Sequence, residues 1–172
     1  MNNLLETKLV TGRSTESNSM VKRIVLATDL SEQSSKTTQY AVALARHFGA
    51  SLTLVHVFEP VEITFTTPQP NEAFEIARRE AELTLLCVYE EIRQIHSDCE
   101  MEFRIGEPLK QIALMASILK ADLVVIGSHR LNFMQPMFAT DEAARILHAT
   151  GCPVLVYREG TASNPEISTG RR

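Results

Sequence analysis

Apolar positions along this chain alternate between two rhythms. RIVLATD (residues 23–29), SLTLVHVF (51–58), ADLVVIG (121–127) and PVLVYR (153–158) are short, near-continuous apolar runs, the pattern of strands buried on both faces. CEMEFRI (99–105) instead sets Met101, Phe103 and Ile105 against Glu102 and Arg104, which predicts a strand with one less buried face. The stretches between have apolar residues three and four apart. Ser31 is placed to cap a helix running to Phe48, with Tyr40, Ala41, Leu44, Ala45 and Phe48 on one face and Gly49 to stop it. A long helix from about Asn71 to Ser97 carries Phe74, Ala77, Ala81, Leu85, Val88, Ile92 and Ile95. Pro108 opens a third helix with Leu109, Ile112, Ala113, Ala116 and Leu119 as its stripe, and Asp141 to Ala149 form a short fourth.

Strand and helix in strict alternation require crossover connections, so the fold is α/β: an open, mostly parallel sheet with helices on both faces. One domain spans residues 22–158. Residues 1–21 and 159–172 are rich in Ser, Thr and Asn without a sustained apolar period, and are expected to be disordered tails. A net charge of -4 supplies no basic field for nucleic acid or an anionic membrane. No apolar run approaches the ~20 residues that span a bilayer, and the first residues lack the order of a secretory signal, so the expectation is a cytoplasmic protein. Cys87, Cys99 and Cys152 are odd in number and widely spaced, which reads as reduced, structural thiols, with Cys87 and Cys152 at positions expected to be buried.

In an open parallel sheet, ligands bind beyond the carboxyl ends of the strands, where strand order reverses. ATDLSE, HVFEP and GSHR arrive there. Asp29 could accept hydrogen bonds from a base or sugar, or serve as a turn carboxylate. Ser128 and His129 are adjacent but have no nucleophile elbow or orienting acid, so they read as a polar loop pair. His56, within an apolar strand, reads as a satisfied core or rim histidine, and no two histidines have metal-ligand spacing.

ATDLSEQSSKTTQYAVALA, LTLVHVFEP, RIGEPLKQIALMA and ADLVVIGSH, followed by a helix and CPVLVYR, resemble a universal stress protein domain over about Lys22 to Arg158. The resemblance implies a Rossmann-like sheet of the adenine nucleotide alpha-hydrolase type, in strand order 3-2-1-4-5, dimeric through the last strand, Val154, Leu155, Val156 and Tyr157. An apolar edge strand leaves backbone groups unpaired that a second copy would satisfy. Nucleotide-binding members of the family place Gly-x2-Gly-x9-Gly-Ser/Thr after the fourth strand. Here Gly127 matches the first glycine, while Arg130, Thr140 and Asp141 stand at the other three positions. On the adenine side the resemblance matches Asp29 and Val57, with Ala27 where some binders carry proline.

A side chain in place of glycine blocks φ > 0 geometry or fills space a phosphate needs. Arg130 is ambiguous, since a guanidinium can itself reach a phosphate. Asp141 puts a carboxylate where the helix N-terminus would hold an anion, although magnesium could recruit it as a ligand. The expectation is therefore no obligatory cofactor, weak or absent ATP binding, and a non-enzymatic stress-response role through an unidentified protein partner. An ATP-binding switch is the alternative; an electron-transfer or hydrolase domain lacks its motifs. LNFMQPMF (131–138) is either a lid over the end of the sheet or an adaptable partner surface.

Overall fold

The structure, a computed structural model, describes residues 20–59, 70–128 and 149–158. In chain order it contains β1 (Arg23–Thr28), α1 (Ser34–Phe48), β2 (Ser51–Phe58), α2 (Pro70–Ile95), β3 (Cys99–Ile105), α3 (Pro108–Ile118), β4 (Leu123–Gly127) and β5 (Val154–Tyr157). The five strands form one sheet in the order β3-β2-β1-β4-β5, parallel at every pairing. Sheet order and class are those expected from the sequence. The short helix expected over residues 141–149 lies outside the described residues except for its last, Ala149. Both expected tails lie outside them too, apart from Met20 and Val21, and Val21 packs against the core.

The alternation of side chains along a strand divides the core into two layers. Ile24, Leu26, Leu52, Leu54 and Val125 meet Ala41, Val42 and Ala45 of α1 and Leu85 and Ile92 of α2. Val25, Ala27, Val55, Val57, Val124 and Ile126 meet Ile112, Met115 and Ala116 of α3 on the other face. Burial on both faces is why β1, β2 and β4 read as continuous apolar runs.

Gly49 ends α1 in the left-handed region at φ 63, and the N–H groups of Gly49 and Ala50 both close on the Ala45 carbonyl. Pro108 is in the first turn of α3 as expected. At the opposite end of the sheet Asp122 joins β4 to β1, accepting from the N–H groups of Lys22 (3.0 Å) and Arg23 (2.9 Å). Partial burial pushes its carboxyl up, but these two hydrogen bonds and the Arg23 side chain more than offset it and hold the group below the ordinary aspartate range.

Four expectations need correction. The regular α-helix begins at Ser34 rather than directly after Ser31, although Ser31 does cap the turn that leads into it, its carbonyl (3.0 Å) and hydroxyl (3.2 Å) both accepting from the Ser34 N–H. Tyr40 is 41% exposed, because the inward face of α1 is set by Thr37, Thr38, Ala41, Val42 and Ala45. Helix α2 starts at Pro70 and stops at Ile95, with Ala77 and Ile95 exposed. Its 26 residues extend about 39 Å at the α-helical rise, against about 26 Å for the eight residues of β2. The helix overhangs the sheet. Cys87 is exposed rather than buried, one residue round the helix from the inward line through Leu85, Val88 and Ile92. Cys99 is buried, and desolvation pushes its thiol up to about 11.

Candidate functional site

The strand order reverses between β1 and β4, whose carboxyl ends carry Thr28 and Gly127. This is where an open α/β sheet holds a ligand.

The segment leaving β1 is fixed by short-range hydrogen bonds. Asp29 Oδ1 accepts from the Ser31 N–H (3.0 Å) and hydroxyl (2.7 Å), an Asx turn. Thr28 Oγ1 accepts from the Leu30 N–H (3.1 Å) and donates to Ser34 Oγ (3.1 Å), which donates to the Ser31 carbonyl (2.7 Å). That hydroxyl relay holds the chain end against the start of α1. Within it Leu30 adopts φ 62, a left-handed conformation that disfavours a side chain as bulky as leucine. Its side chain packs against the α1–α2 layer, and the turn hydrogen bonds hold the backbone in place. His56, the register partner of Thr28 on β2, lies 3.0 Å through Nδ1 from the Thr28 carbonyl. A carbonyl only accepts, so Nδ1 carries the proton, and His56 is a satisfied, buried histidine.

The candidate residues divide into three sets. Ala27 and Val57 are each 3% exposed and pack in the α3 layer, so their side chains belong to the core and only their backbones face the crevice level. Asp29 and Gly127 end β1 and β4 at that level, Asp29 with one oxygen bonded to Ser31. Arg130, Thr140 and Asp141 lie outside the described residues. Thr28, Leu30 and Ser34 belong to the site without standing out in the sequence. Their signal was Asp-x-Ser directly after an apolar run, the composition of an Asx turn.

Gly127 has a packing reason of its own. A Cβ there would lie 3.0 Å from Thr37 Oγ1 on α1, tighter than an ordinary van der Waals contact. Gly127→Ala is expected to lower stability by about 1 kcal/mol through overpacking, and Thr37→Ala to cancel most of that loss, as read from urea unfolding of the four chains of the double-mutant cycle. An additive cycle would show that Thr37 is not what excludes the methyl group.

At the far edge, β5 carries Val154, Leu155, Val156 and Tyr157, with Val156 38% exposed. Tyr157 lies against Tyr40 with ring centroids 5.1 Å apart, which explains the placement of Tyr40 at the margin of α1. No group of His, Cys, Asp and Glu side chains among the described residues could hold a metal ion. No helix among them is long and apolar enough to cross a membrane.

Strand order, crossover helices and the β1–β4 crevice define a doubly wound, Rossmann-like α/β protein. Residues 20–158 match the family model of the Universal stress protein family, and the chain belongs to that family. A universal stress protein of Thermus aquaticus is 30% identical over 145 residues, 81% of this chain and 100% of the relative. The protein Sll1388 of Synechocystis is 26% identical over 150 residues, 79% of this chain and 97% of the relative. Among solved structures, the universal stress protein UspA of Lactobacillus plantarum superposes with a TM-score of 0.66 at 19% identity, covering 80% of this chain and 98% of that one. A universal stress protein of Archaeoglobus fulgidus in complex with dAMP superposes with a TM-score of 0.54 at 23% identity, covering 80% of this chain and 98% of that one.

Proposed function

We propose that this chain is a non-enzymatic, dimeric stress-response protein that acts through protein contacts and binds ATP weakly or not at all. The observation that carries this reading is Asp141, a carboxylate at the position where nucleotide-binding relatives place the hydroxyl that receives phosphate. Arg130 and Thr140 at glycine positions add to it, since backbone N–H groups cradle phosphate best where no side chain intervenes. The dimer rests on β5, a short apolar edge whose Val156 is partly exposed. The test is calorimetric titration of the full chain with Mg-ATP. The expected result is no binding tighter than the high micromolar range; a low-micromolar constant, or nucleotide retained through purification, overturns the reading.

A second reading, an adenine-nucleotide switch, draws on solved relatives with cAMP and dAMP bound. A monophosphate asks less of the loop after β4 than a triphosphate does. Titration with AMP and cAMP beside Mg-ATP separates the two: tight monophosphate binding with weak ATP binding favours the switch.

A further inference from the structure

The edge of the sheet opposite β5 is built to pair with itself. We infer that β3 forms a second, antiparallel contact with β3 of another copy of this chain, with Phe103 on the two-fold axis.

The Leu52 N–H donates to the Asp98 carbonyl and the Gly106 N–H to the Phe58 carbonyl, and the register between β2 and β3 runs without a bulge from Leu52↔Cys99 to Phe58↔Ile105. Residues 98, 100, 102, 104 and 106 therefore direct their backbone groups at β2, and Cys99, Met101, Phe103 and Ile105 direct theirs away. No strand among the described residues pairs with that side. An unpaired row of alternating donors and acceptors is a template for another strand.

Side chains then select the partner and the register. Met101 and Ile105 are 39% and 46% exposed. Met101 and Phe103 also line a groove of about 390 Å³ with Leu83 and Leu86 of α2, so this edge continues into an apolar surface. Charges on an edge strand ordinarily discourage pairing, but here they discriminate between registers. With Phe103 opposite Phe103 of the second copy, Met101 falls opposite Ile105, and Glu102 opposite Arg104, twice by symmetry. Shifting the axis to Glu102 sets two glutamates face to face, and shifting it to Arg104 sets two arginines. An axis at Met101 puts Glu100 opposite Glu102. Of these four registers, the Phe103 register alone has no like charges directly opposed, the condition that favours cross-strand pairs. A second copy of this chain meets that demand without any further partner, because MEFRI (residues 101–105) is complementary to its own reverse. The contact is independent of the function proposed above and of the β5 edge.

The test is residue-resolved amide hydrogen exchange on the full chain at concentrations from about 20 micromolar to about 1 millimolar, where mass action fills a weak self-contact. The amides of Met101, Phe103 and Ile105 are expected to slow by about tenfold or more across this range. Glu102→Arg alone, or Arg104→Glu alone, sets like charges opposite one another and is expected to remove the effect. Glu102→Arg with Arg104→Glu restores the opposite pairing and is expected to recover it. Association through β5 leaves these three amides untouched, so either interface can fail without the other. Concentration-independent exchange of the three amides in the wild-type chain overturns the inference, as does either single reversal that keeps the effect. A double reversal that melts with the wild-type chain but does not recover the effect overturns the register.

Discussion

Mg-ATP affinity is expected to rise by about tenfold or more in the Arg130→Gly, Thr140→Gly, Asp141→Ser triple variant, measured by calorimetric titration against the wild-type chain. Charge sets the scale of the effect. A carboxylate ~4 Å from a phosphate oxygen, at an effective dielectric near 20, repels it by about 4 kcal/mol, whereas a tenfold change in affinity is about 1.4 kcal/mol. Solvent screening and magnesium reduce the full repulsion, which is why tenfold is the lower bound. Asp141→Ser alone should deliver the largest share, because it removes the anion and supplies a hydroxyl at the position expected from the sequence to receive phosphate. The two glycines add backbone freedom and space. Unchanged affinity in a folded triple variant would place the defect elsewhere. The end of β1 would come next, where Asp29 already gives one oxygen to Ser31.

Leu26→Ala is expected to cost between about 2 and 5 kcal/mol of folding stability, towards the upper part of the range seen for buried leucines. Leu26 is 0% exposed on the central strand, with Leu54 on one side and Val125 on the other in direct register. Both neighbouring backbones are fixed by their ladders, so the walls of the new cavity cannot collapse inward as a loop would. Leu114→Ala on α3, where the side chain is 44% exposed, serves as the comparison and should change stability by no more than about 0.5 kcal/mol. Urea unfolding of both chains reads the difference. Equal losses at the two positions would contradict the assignment of Leu26 to a rigid two-sided core.

The strands were legible because burial on both faces writes itself as an unbroken apolar run. RIVLAT and SLTLVHVF needed no context, and their observed bounds fall at or within one residue of the expected ones. Helix faces were harder, because a helical period says which side is apolar but not how much surface lies beneath it. Leu85 and Ile92 are buried where α2 crosses the sheet, while Ala77 and Ile95, in phase with them, are exposed. Tyr40 departs from its expected face for a related reason. Its partner, Tyr157, comes from a strand 117 positions on, and no local pattern contains that contact. At the candidate site, Asp29 and Gly127 were visible as residue types at strand ends. The conformation of Leu30 was not, since nothing in DLS requires a leucine at positive φ. The packing demand on Gly127 was equally hidden, because it is imposed by Thr37, 90 residues earlier.

The overhang of α2 also affects how the crevice end of the molecule can move. The first turns of that helix extend past the strands. Their inner ion pairs, Arg78 with Glu75 and with Glu82, support the helix itself but do not tie it to the sheet. Among the described residues, Phe74 links this portion to the sheet, set edge-on against Phe58 at 5.4 Å where β2 ends. The helix is thus clamped along its middle, and among the described residues its first turns reach the sheet through this aromatic contact. Loss of that contact would loosen the first turns of α2 over the end of β2 without opening the layer around Leu85 and Ile92.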